Sequence, residues 1–177
     1  MKFEKVSLRQ FTKDWIDKFP VNDSDVPVGD VLDQIGDIYD DIKLPKRGTR
    51  GSAGYDFFSP IPITIEAGGS ITIPTGIRCQ IDPGYFLLLL PRSGQGSKFK
   101  LRLANTAGVI DEDYYGAKNE GHIFARICAE DDKTIQIEAG QAYMQAIFVP
   151  FGITEDDDTE DLRVGGFGST DERRNQG

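Results

Sequence analysis

The chain has 177 residues, 38% of them hydrophobic and 28% charged, with a formal net charge of −9. That length fits one domain around one sizeable core. The acidic balance argues against a general nucleic-acid surface, which needs a basic face. No apolar run reaches the roughly 18 residues of a membrane span, so no membrane partner is expected.

Residues 1–41 read as a helical N-terminal extension. Ser7 is placed to cap a helix with Leu8, Phe11, Trp15 and Phe19 on one side. Val28, Val31, Leu32, Ile35 and Ile38 repeat with similar spacing, after a turn over residues 19–23. Both apolar faces must pack on something, either the β core or a neighbouring subunit. Met1-Lys2-Phe3-Glu4-Lys5 lacks the apolar stretch of a secretory leader.

Residues 42–155 form the expected β core. From Gly51 to Ile153, short apolar runs alternate with Gly, Pro, Asp and Asn. Runs over 61–65, 70–74, 76–81, 123–127, 134–137 and 146–150 show the period and β-branching of strands in a sandwich or barrel. Pro62 and Pro74 mark strand ends or edges. Residues 85–90, Tyr-Phe-Leu-Leu-Leu-Leu, read as a buried strand. Cys79 and Cys128 read as reduced core thiols, so a cytoplasmic setting is expected. Residues 156–177 are acidic, then Gly-rich, then polar, and lack the apolar content to fold alone. They form a flexible arm in this reading.

Several segments carry chemistry, each beside a plainer alternative. In Pro91-Arg92-Ser93-Gly94-Gln95-Gly96-Ser97-Lys98, glycines let backbone N–H groups approach an anion, with a hydroxyl and a guanidinium beside them. The alternative is a Gly/Ser turn with surface charge. Asp111 follows Val109-Ile110 at a strand end, where a carboxylate can take a proton from water; the alternative is a solvated acidic turn. Asp56 is either a polar residue on an exposed strand face or part of a site. Gln145 sits in an apolar run and needs partners, at strand ends or on a ligand. The run Gly165–Thr170 is a floppy tail or a lid, with Phe167 stacking on a base and Arg163 and Ser169 meeting phosphates. His122 has no Ser or Cys arranged around it and reads as structural or surface. Glu155-Asp156-Asp157-Asp158 reads as a solvated loop rather than a metal site.

Taken in order, Ala53–Phe57, Pro91–Gly94, Asn105–Tyr114, Gly140–Gln145 and Arg163–Thr170 resemble the five motifs of the trimeric dUTPase family. The resemblance spans roughly residues 42–171. It implies an all-β, jelly-roll-like homotrimer with sites at subunit boundaries. It implies hydrolysis of dUTP to dUMP and pyrophosphate, by in-line attack of water on the α-phosphorus with Mg2+ as cofactor. By the same resemblance Asp111 activates the water, and Asp56 orients the hydrated metal through water. Arg92, Ser93, Gly94 and Gln145 meet phosphates. Asn105, with the hairpin backbone through Gly108 and Ile110, reads uracil, and Tyr114 packs on deoxyribose. Arg163, Phe167, Gly168, Ser169 and Thr170 lie on the mobile arm.

The chain departs from the family pattern in three places. The arm motif is one residue shorter than usual and ends in Asp171 where Gly is common. Residues Ala117–Gly121 lengthen the hairpin after Tyr114-Tyr115-Gly116, and the N-terminal helices have no counterpart in short members. Such insertions are similar to phage-type members. The alternatives are a dCTP deaminase of the same fold and a regulatory binding protein with a protein partner.

Overall fold

The structure is a computed structural model that describes residues 1–21, 27–94, 101–130 and 132–159. The chain opens with a strand, β1 (Lys2–Lys5), antiparallel to β6 (Ile77–Gln80). The expected helical extension therefore begins inside the sheet system. A four-residue Lys-Phe-Glu-Lys run carries no strand signal of its own; pairing with β6 creates it.

Two amphipathic helices follow, α1 (Leu8–Lys18) and α2 (Val28–Asp41). Ser7 caps α1 as expected, its hydroxyl accepting from the Gln10 N–H at 3.1 Å. α1 packs on the β core of the same chain and α2 packs chiefly on α1, while Leu8, Val28 and Leu32 of the expected apolar faces stay exposed. Phe11 is fully buried and Trp15 and Ile35 nearly so, in one cluster with residues of the sheets. Truncating a buried Phe or Trp typically costs about 3–5 kcal/mol, so α1 is part of the fold rather than an appendage.

The remaining strands are β2 (Lys46–Arg47), β3 (Tyr55–Phe58), β4 (Ile63–Ile65), β5 (Ser70–Pro74) and β7 (Tyr85–Pro91). After them come β8 (Arg102–Leu103), β9 (Gly108–Ile110), β10 (Phe124–Cys128), β11 (Ile135–Ile137) and β12 (Ala142–Pro150). All pairings are antiparallel. A five-stranded sheet runs β2-β3-β12-β7-β9 and a three-stranded one β5-β10-β8, with the pairs β1-β6 and β11-β4 beside them. Inward side chains of these strands meet in one core, among them Phe57, Ile73, Leu87, Leu89, Ile127 and Met144. The architecture is the expected jelly-roll-like β fold. Pro62 directly precedes β4, and Pro74 ends the edge strand β5.

The expected thiols are both free; Cys79 is buried and Cys128 half-buried. Burial pushes the Cys79 thiol up to about 12. Residues 155–158 are exposed. Among the described residues no helix is long and apolar enough to cross a membrane.

His122 is wholly buried and joins three parts of the molecule. Its Nε2 accepts the Gly76 N–H at 2.8 Å, so Nδ1 carries the hydrogen and donates to Asp14 of α1 at 2.6 Å. Gly76 is required there: its φ is +72°, and a Cβ would sit 2.3 Å from the Ile42 side chain. Burial alone would push the Asp14 carboxyl up. Hydrogen bonds from His122 and Gln10 outweigh it and hold the group below the usual carboxylate range.

A carboxyl depressed in this way stabilises the fold above its unfolded value of about 4, and that stability is lost as the pH falls through the lower folded value. The urea midpoint of the parent should thus fall more steeply between about pH 5 and 3 than that of Asp14→Asn. Parallel slopes for the two proteins would show that Asp14 is not so coupled.

Candidate active site

The site is organised by β12, which lies between β3 and β7. Its register shifts between Ala142 and Met144, where the chain carries a bulge. Beyond the bulge, Gln145 pairs with Asp56 on one side and Leu90 on the other. Directly paired residues point to the same face of a sheet. The bulge therefore turns the Gln145 amide outward, beside the Asp56 carboxylate, while Met144 stays in the core. Arg92 lies two residues past Leu90, which keeps it on that same face.

Contacts confirm the row. Arg92 Nε is 2.8 Å from Asp56 Oδ1, and the Asp56 side chain is only 17% exposed. Gln145 Nε2 donates to the Pro91 carbonyl at 3.2 Å. A Cβ on Gly54 would sit 2.4 Å from Gln145 Oε1, so Gly54 leaves the space in which this amide lies. Three sequence segments far apart in the chain thus converge on one strip. Ser93 and Gly94 follow at its exposed end.

The hairpin from Leu103 to Gly108 forms the neighbouring feature. It is tight: Thr106 N–H donates to Leu103 O at 3.0 Å, and Ala107 N–H to Asn105 O at 2.7 Å. Thr106 adopts φ +65°, a strained conformation for a β-branched residue. A Cβ on Gly108 would sit 3.1 Å from the Leu89 side chain, a tight contact. Asn105 and Gly108 line a cleft of about 590 Å3, together with Leu89, Leu103 and Phe124. Its apolar floor and few polar groups suit a small, flat ligand.

Asp111 ends this segment, exposed, at the start of a 3-10 turn over Glu112–Gly116. Ile110 points into the core and is 3% exposed, so only its main chain can meet a ligand. Tyr114 is 1% exposed, and its hydroxyl donates to His122 O at 2.7 Å while accepting from Asn119 Nδ2 at 2.8 Å. In the single chain it supports the hairpin from behind. A sugar contact of the kind the resemblance implies would need part of that ring uncovered.

One expected neighbour is far away. Ile110 pairs with Leu87 and Gly108 with Leu89, so β9 runs away from the Arg92 end of β7. Asp111 lies about six residues, roughly 20 Å, from Arg92 along the strand direction. Within one chain the carboxylate and the phosphate-loop cation do not meet. Arg163, Phe167, Gly168, Ser169 and Thr170 lie outside the described residues. Among the described residues no group of three or more His, Cys, Asp or Glu is placed to hold a metal ion.

What the sequence reading missed is the bulge and the buried network behind the hairpin. The only local sign of either was Gly54 ahead of Tyr55-Asp56 and the lone His122.

Comparisons with known proteins point one way. A family model described as dUTPase matches residues 40–171. The deoxyuridine 5'-triphosphate nucleotidohydrolase of Lactococcus lactis is 39% identical over 132 residues, covering 73% of this chain and 88% of that protein. That of Glaesserella parasuis is 40% identical over 133 residues, covering 71% and 85%. Among solved structures, the dUTPase of Streptococcus mutans is similar with TM-score 0.59 and 40% identity, covering 66% of this chain and 91% of that one. The dUTPase from phage phi11 of Staphylococcus aureus is similar with TM-score 0.56 and 25% identity, covering 70% and 92%.

The buried network makes a stability prediction. Tyr114→Phe removes the 2.7 Å donor to His122 O and leaves it the longer 3.4 Å bond from Asn119 Nδ2, and should cost about 0.5–1.5 kcal/mol by urea unfolding. A loss under about 0.5 kcal/mol would show that the hydroxyl is dispensable.

Proposed function

The chain belongs to the dUTPase family and hydrolyses dUTP to dUMP, and on that premise we propose how its residues share the reaction. The carrying observation is the strip Asp56–Arg92–Gln145 on an outward sheet face, taken together with the Asn105–Gly108 cleft. Uracil and deoxyribose occupy the cleft, read by Asn105 and by the backbone at Gly108 and Ile110. The triphosphate runs over Arg92, Ser93, Gly94 and Gln145. Asp111 takes a proton from water, whose oxygen attacks the α-phosphorus as the bond to the pyrophosphate leaving group breaks. No covalent nucleophile is used. The arm residues Arg163, Phe167, Gly168 and Ser169 close over the nucleotide in this reading.

Mg2+ belongs to the same proposal. Magnesium keeps several waters and is usually held by one or two carboxylates plus substrate phosphates. Asp56, a single half-buried carboxylate beside the phosphate strip, fits such a hydrated ion, and a protein cage is not required. The ion would offset charge on the triphosphate. A mutant of the phage phi11 enzyme, similar with TM-score 0.54 and 25% identity, is described with a structural Mg(II) ion.

Homotrimeric assembly with shared sites is part of this proposal, and two features support association. One is the 20 Å-scale separation of Asp111 from Arg92, which an intersubunit site removes. The other is the outward face of the five-stranded sheet, where Phe86, Leu88, Leu90, Ile147 and Val149 are half-buried and Val109 is 56% exposed. A contiguous apolar face of this kind is rarely left to solvent. The helices and the 117–121 insertion, which suggested a regulatory partner, pack on each other and on the core.

Pyrophosphate release should be fast with dUTP and slow with dTTP, dCTP and UTP, and should require Mg2+. Ammonia release from dCTP would favour the deaminase alternative. Asp111→Asn should lower turnover by about 10²- to 10⁴-fold with the trimer intact by light scattering; turnover near the parent rate would remove Asp111 from the mechanism.

Arg92→Ala offers a second test. A pair this exposed contributes no more than about 1 kcal/mol to folding. Activity should nevertheless fall at least tenfold, since a cation facing the phosphates is lost. A variant equally active and equally stable would leave Arg92 with no role at the phosphates.

A further inference from the structure

The cleft that holds Asn105 and Gly108 has a wall from outside the family-matched residues 40–171: the last turn of α1 brings Asp17 and Lys18 to it. The helix is held there firmly. The Tyr115 hydroxyl donates to Glu4. Ser7 donates through its N–H and its hydroxyl to Glu120, at 2.7 Å each. Asp14 accepts from His122 at 2.6 Å. Every one of these partners lies within or beside the 117–121 insertion. The insertion is thus the platform on which the N-terminal extension docks, and the docking sets where α1 ends.

Lys18 stands at that end. Its ammonium lies 6.0 Å from the centre of the Phe124 ring, which also lines the cleft. It is paired with Asp17 at 2.8 Å, but the side chains are 38% and 69% exposed. An ion pair so open to water is weak and yields readily to a stronger anion. Among the described residues the charged groups that line the cleft are Lys18, Arg126 and Asp17, so its rim is net positive. In a chain of net charge −9, such a local excess is what draws in a polyanion.

We propose that Lys18 is a nucleotide-binding residue supplied by the N-terminal extension, its ammonium donating to a phosphate oxygen of the nucleotide in this cleft. The proposal rests on the reading of the cleft as the nucleotide site. The Lys18 ammonium lies over the Phe124 ring, and the docked insertion fixes its reach.

The test uses the full chain and titrates dUMP and deoxyuridine by calorimetry. Lys18→Met keeps the stem and removes the charge. It should weaken dUMP about three- to tenfold and leave deoxyuridine within about twofold. Lys18→Arg should restore dUMP binding. Lys13→Met, which removes an equal charge from an exposed position on the same helix, should change neither. Asn105→Ala should weaken both ligands; if it weakens neither, the reading of the cleft falls. If Asn105→Ala weakens both but Lys18→Met leaves dUMP unchanged, or weakens both ligands equally, the proposal for Lys18 alone is overturned. A dUMP loss in Lys13→Met as large as in Lys18→Met would also overturn it, because the effect would then be one of net charge.

Discussion

The pairing of β12 with both β3 and β7 is the constraint on which the rest of the site depends. Side chains on a strand alternate between faces, so a slip of one residue reverses them all. The bulge near Ala142 makes one such slip on purpose. Before it, Ala142 and Tyr143 are buried; after it, Gln145 faces outward while Met144 and Ala146 remain in the core. Asp56 and Arg92 can meet across β12 only because that register holds. Arg92 supplies the Asp56 carboxylate with its counter-charge.

A second constraint lies behind the hairpin. His122 accepts from Gly76, donates to Asp14, and offers its carbonyl to Tyr114. Buried polar groups of this kind specify one arrangement, because every alternative strands a donor or an acceptor. The same residue therefore couples the N-terminal helix to the segment that carries Asp111. The imidazole thus adds to the strand pairing of β1 and the Ser7–Glu120 bonds in tying an extension outside the family-matched residues to the β core.

Charge and separation complete the picture. An acidic chain that handles a polyanion must concentrate positive potential locally. It does so at Arg92 and along the rim of the cleft with Lys18 and Arg126. Asp111, the proposed general base, is kept at the far end of β7 from that cation. In one chain this separation avoids pairing Asp111 with Arg92, which would neutralise both. The proposed subunit association would bring an Asp111 and an Arg92 together around one nucleotide.

The sequence by itself determined the fold class, most of the strands, both helices and the cap at Ser7. Each of these depends on local periodicity or on a local side chain–backbone bond, which a short window records. It also pointed to the family, through five ordered segments. Tertiary structure alone decided the remainder. β1 is a strand only because β6 is beside it. His122 is a buried hub because residues 14 and 76 converge on it from far along the chain. The run Tyr85–Leu90 reads as buried on both faces, yet the single chain covers one face fully and leaves the other half open. The sequence recorded that burial without recording what covers the second face. Register, a bulge and the meeting of distant segments are set by long-range pairing, and no local pattern of residues encodes them.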